Sequence, residues 1–146
     1  MYNQKSMRTT LLIRLLVGSV FLSEGIQKFL FPDERGVGRF INIGIPMPET
    51  TAYFVAVVEV GCGLLILLGL VTHLASIPLI IDMLVAIATT KIPILFEGGF
   101  WEMAREARTD YAMLLGAIFL FFMGAGAYSL DSFTKKIHVI KVKDNR

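Results

Sequence analysis

Cysteine is almost absent from this chain of 146 residues: Cys62 is the only one. A single cysteine forms no internal disulfide and no CxxC redox pair, which excludes thiol–disulfide chemistry within the chain. Histidine is nearly as scarce. His73 and His138 are far apart, and neither has a second ligand at helical spacing, so a metal or haem site is not expected. Charge of one sign is also lacking. The formal net charge is +2, and no basic block interleaves with aromatics, which argues against nucleic acid as a partner. No nucleotide-binding loop, HExxH or nucleophile elbow occurs, and no catalytic residue is assigned.

What the chain has instead is apolar length. Its composition is 55% hydrophobic and its mean hydropathy is +0.67. A span of the bilayer needs roughly 20 mainly apolar residues. Four segments meet that length: about 9–31, 51–71, 73–96 and 110–130. They are apolar on nearly every face, which suits lipid as the solvent better than a soluble bundle. The first is read as a retained helix rather than a signal peptide, because it holds internal charges and lacks an A-x-A site. The expected fold is all-α: one integral membrane domain over 1–146, an antiparallel bundle of four transmembrane helices with a short basic tail, 131–146. The tail has strand character at Ile137–Val142.

The connections differ in character. The first, Pro32–Thr50, is rich in Gly and Pro, yet its apolar stretch Ile43–Met47 suits a lid over the bundle. The second, at Val71–His73, is so short that its flanking helices must be antiparallel neighbours, with His73 capping the turn. The third, Glu97–Thr109, mixes charges with Phe100 and Trp101, as a short interfacial helix does. Lys and Arg near the chain ends place both termini on the cytoplasmic side of a multi-pass protein of the cell membrane. Gly18, Gly25, Gly61, Gly63, Gly116 and Gly124 offer close helix approaches.

Five ionisable residues lie inside the expected spans: Arg14, Glu24, Lys28, Glu59 and Asp82. Each costs at least ~2.5 kcal/mol at the centre of an isolated span, so each should face the bundle interior, a partner or water. At a rise of roughly 1.5 Å per residue, Glu24 and Glu59 fall about 10–12 Å below the same membrane face, with Asp82 near the middle. Glu59, Asp82 and Glu24 are therefore the candidate proton- or ligand-binding residues. Glu59 ranks first, because it is deep and has no partner one helical turn away. Lys28 and Arg14 are supporting polar residues. Lys28 stands four residues after Glu24, which allows an in-helix pair, and both cations have stems long enough to snorkel. Asp110 reads as a charge at a helix N-terminus.

The words Arg14-x3-Gly18, Glu24-Gly25-x2-Lys28, Phe40 before Gly44-x-Pro46, Glu59-x3-Gly63 and Gly69-x2-Thr72 form a recognisable series. With Ala75, Met83 and Ala86 they give the chain a resemblance to the DoxX family over roughly Leu11–Lys91. The resemblance implies a small four-helix membrane protein and matches Arg14, Lys28 and Glu59 to polar positions of the family. Related members look like membrane subunits of redox assemblies, including thiosulfate:quinone oxidoreductases, which work with soluble partners. Two readings follow. In one, the bundle is a quinone-interacting membrane subunit that works with a soluble or membrane redox partner and holds no covalent cofactor. In the other, it is a non-enzymatic binder, carrier or scaffold for an apolar or weakly acidic small molecule. Both place the chain in contact with the lipid bilayer and leave a homo-oligomer open.

Overall fold

A computed structural model describes residues 4–133, with side chains from residue 8 onward. The remaining tail, with the expected strand and His138, lies outside the described residues. The described chain is helical, with α1 at Gln4–Leu30, α2 at Val37–Asn42, α3 at Pro48–Leu68 and α4 at Thr72–Ala86. A π-turn at Ile87–Lys91 leads into α5 at Ile92–Gly98, followed by α6 at Phe100–Glu106 and α7 at Arg108–Met123.

Three helical stretches are long and apolar enough to cross a membrane: Arg8–Leu30, Pro48–Leu68 and the continuous run Thr72–Gly98. The second begins three residues earlier than the sequence suggested, because Pro48 occupies its first turn, where a missing N–H costs nothing. The fourth expected segment, 110–130, is cut short. Its helix ends at Met123, where Gly124 and Gly126 take left-handed φ values of 68° and 72°. At 16 residues, α7 is about 24 Å long, less than a hydrocarbon thickness of ~30 Å.

The third stretch is not one regular helix. Pro93 has no N–H to offer the preceding turn, and its ring would strike the carbonyl four residues back. The wider π-turn just before it absorbs that mismatch. Thr89 and Thr90 donate their hydroxyls to the Val85 and Ala86 carbonyls at 2.8 and 2.6 Å, which helps satisfy the disturbed backbone.

α1 lies along α3, α4 lies along α7, and α3 and α4 join the two pairs. The core between them contains Val17, Phe21, Ile66, Leu79, Ala117 and Leu120. Lipid supplies no hydrophobic drive between helices, so close packing must do that work. It does so most clearly between α1 and α3. A Cβ on Gly18 would sit 2.9 Å from the Gly63 carbonyl oxygen, and one on Gly25 would sit 2.8 Å from that of Ala56. Gly61, expected to pack as well, faces open space. It lies two residues from Gly63, which turns it to the opposite side of α3. The third connection contains a short helix, α6, and its Trp101 is 83% exposed.

Gly63→Leu should therefore cost about 1–3 kcal/mol by overpacking, and Gly61→Leu less than about 0.5 kcal/mol. Equilibrium unfolding in mixed detergent micelles measures both. Equal losses would contradict this packing of α3.

Candidate functional site

The contact of α1 with α3 at Gly25 brings Lys28 to Glu59. Their Nζ–Oε2 distance is 2.5 Å, and the side chains are 12% and 3% exposed. This corrects the expected in-helix pairing of Lys28 with Glu24. With no side chain at Gly25, the α3 backbone comes within touching distance, and a carboxylate from the neighbouring helix takes the ammonium. It also supplies the partner that Glu59 lacks on its own helix. Lys28 does not snorkel; it is held inside the bundle. An ammonium has three donors, and only one is used in a hydrogen bond to the protein among the described residues.

Asp82 approaches from α4. Its side chain is within hydrogen-bonding reach of Glu59 and feels the charges of Lys28, Glu24 and Asp110. Its Oδ2 is buried and has no hydrogen-bond partner among the described residues. Buried polar atoms without a partner are uncommon and costly. Asp82 borders a cavity of about 490 Å³, within the ~300–1,000 Å³ range of small-molecule sites. Glu24, Lys28, Glu59 and Asp82, placed at similar depth by helical rise, all line this cavity.

The remaining wall is mostly apolar, with Val20, Phe21, Val55, Met83 and Met113 contributed by four helices. The connection after α1 covers it. Phe40 of α2 is buried, and Ile43, Ile45 and Pro46 face the cavity, as expected of a lid. Met47, expected to share that role, instead points away and is 70% exposed. Its φ of 50° turns the chain into α3.

Several lining residues were not anticipated. Arg35 and Arg39 border the cavity from the lid side, and Thr89 and Thr90 from the π-turn. Asp110 stands in the first turn of α7, as read from the sequence. It also lines the cavity and pairs with Lys91 at 3.1 Å. Only the two prolines near α4 and the Thr-Thr-Lys sequence hinted at an irregular, polar turn there.

Arg14 belongs elsewhere. It is 2% exposed, so the snorkelling expected for it does not occur. Its guanidinium donates to the Ile66 and Leu67 carbonyls at 2.9 and 2.8 Å, and to those of Ala125 and Tyr128 at 2.9 and 2.5 Å. These are carbonyls at the end of α3 and in the segment after α7, where helix geometry leaves acceptors unpaired. Gly69 ends α3 with φ 70°, and a Cβ there would strike the guanidinium. His73 likewise leaves its expected cap, and its Nδ1 meets the Phe121 carbonyl of α7 at 2.5 Å.

A membrane-embedded helical bundle with a lidded cavity and a buried Lys–carboxyl cluster is the class of protein these observations define. The DoxX family model matches residues 9–92, and the chain belongs to that family. It is 57% identical to an uncharacterized membrane protein of Mycobacterium tuberculosis, over 82% of this chain and 77% of the relative. It is 32% identical to a Bacillus subtilis protein named "Putative oxidoreductase CatD", over 87% of each chain. No solved structure gives a significant match.

Two stability outcomes follow. Arg14→Leu removes hydrogen bonds to four carbonyls, of which that of Ile66 keeps the Gly69 N–H, and should cost about 3 kcal/mol or more, read as a lower unfolding midpoint in mixed micelles. Lys28→Met should cost about 3–5 kcal/mol by leaving Glu59 unpaired, and Lys28→Met/Glu59→Met should recover most of that loss. A double variant no more stable than the single one would contradict the ion pair.

Proposed function

We propose that this protein is a quinone-interacting component of the cell membrane, whose cavity binds a quinone headgroup and exchanges protons with it. One observation carries the reading: a fixed cation and two adjoining carboxyls stand at the buried end of a cavity that is otherwise largely apolar. A quinone has the matching shape, a flat apolar ring with two acceptor oxygens. The unused N–H groups of Lys28 suit such an oxygen. The unpartnered Asp82 Oδ2 suits the hydroxyl of the reduced form. Reduction takes two electrons and two protons, one proton for each ring oxygen. Glu59 and Asp82 are the groups within the cavity that can carry those protons. The electrons come from a soluble or membrane redox partner. The relative named as an oxidoreductase agrees with this class of chemistry.

The same reading gives the chain four crossings and cytoplasmic termini. α7 is short, but Arg14 of α1 ties the segment after it to the level where α3 ends. Residues 124–130 then complete the crossing. Lys and Arg flanking the chain ends favour the cytoplasmic side.

Mass spectrometry of small molecules that co-purify in mild detergent tests the site. Wild type should retain a quinone, and Glu59→Gln should retain at least about tenfold less, the equivalent of one lost ~1.4 kcal/mol interaction. A lipid or another apolar molecule in place of quinone would overturn the redox reading in favour of a binder or carrier. No ligand in either protein would make the charges structural.

A further inference from the structure

Glu59 and Asp82 are enclosed, so any proton they exchange needs a route to water. Glu59 is 3% exposed at its side chain, and Lys28, above it, cannot pass a proton on while it stays charged in the pair. Exposure rises toward α7. Asp110 is 23% exposed and lies in the first turn of that helix, directly after the exposed Arg105, Glu106 and Arg108. It borders the same cavity as Asp82 and is close enough for its charge to act on Asp82. Lys91 holds it there from the π-turn at 3.1 Å. Thr89, Thr90 and Thr109, the neighbours of these two residues in sequence, add hydroxyls to the cavity lining.

We infer that Asp110, held by Lys91 at the junction of the π-turn and α7, is the relay through which the buried Glu59–Asp82 pair exchanges protons with water. The inference rests on the proton-exchanging reading of the cavity. The charged groups that line the cavity with the pair are Glu24 and Lys28 from α1, Arg35 and Arg39 from the lid side and Asp110 from α7, with Lys91 of the π-turn held on Asp110. Of the two acids, Glu24 makes no ion pair among the described residues, whereas Asp110 is fixed in place. A fixed carboxylate between cavity and surface can accept a proton from Asp82 and release it to solvent with no net change to itself. The π-turn then has a use: it brings Thr89 and Thr90 to the cavity and Lys91 to Asp110 at the point where α7 begins.

A relay requires that Glu59 or Asp82 carry a proton at some stage, and a protonated carboxyl has an infrared C=O band that shifts in D2O. The rate of that shift in purified protein reads access of water-derived protons directly, without any ligand. The band is assigned by its loss in Asp82→Asn. Asp110→Asn should slow the shift by at least about tenfold. Asp110→Glu should restore it, and so should a small weak acid such as azide added to Asp110→Asn. Lys91→Ala removes the ion pair but keeps the carboxylate, and should stay within about threefold of wild type. Should Asp110→Asn fail to fold, Asp110→Ser keeps a helix-starting side chain and gives the same reading. An unchanged rate in the Asp110 variants, equal slowing in Lys91→Ala, slowing by Glu24→Gln alone, or no protonated band in wild type would each overturn the inference. Binding of a short-chain quinone to the same samples keeps the two ideas apart. A wild type that fails to bind it removes the quinone reading and leaves the exchange comparison standing. Binding with unaltered exchange in Asp110→Asn removes the relay alone.

Discussion

The backbones of α1 and α3 touch, and most of what is distinctive in this molecule depends on that contact. Gly18, Gly25 and Gly63 leave no room for side chains between the two helices. In lipid the hydrophobic effect does not press helices together, so closeness has to come from shape. Once the helices are this close, long side chains on α1 reach past α3's surface to its polar groups. Lys28 meets Glu59 near one end, and Arg14 meets the last carbonyls of α3 near the other.

The two cations show different ways of holding charge away from water. Arg14 has no carboxylate among its hydrogen-bond partners. Its planar fork spreads donors over four carbonyls from two segments, a geometry that a lysine cannot copy. The outcome is a rigid end of the bundle, closed around Gly69. Lys28 is matched to a single carboxylate and keeps spare donors beside a cavity. The first arrangement consumes its polar capacity in the fold. The second leaves some for a ligand.

Irregular backbone contributes part of the cavity wall. The π-turn before Pro93 brings Thr89 and Thr90 into the lining and sets Lys91 beside Asp110, and the Gly- and Pro-rich connection after α1 folds back as a cover anchored by Phe40. Irregular backbone at this depth is tolerable only where it lines a cavity or is buried in protein. Regular helices in the same places would have packed side chain to side chain and left no space.

Much of this was legible in order along the chain. The long apolar runs identified three membrane-spanning helices, because the bilayer demands a fixed length whatever the packing. The cost of burying charge singled out Glu24, Lys28, Glu59 and Asp82, and helical rise alone set their common depth. What depth could not give was direction around each helix axis. That Lys28 turns to Glu59 rather than Glu24, and that Asp110 joins the cavity, follow from how helices are rotated and how closely they approach. Nor did composition reveal where the fourth helix stops, since the apolar run continues past Gly124 while the backbone turns. The sequence by itself determined which groups are too expensive to leave in lipid. Only the tertiary structure decided who neutralises whom, because pairing depends on close helix contacts between residues dozens of positions apart.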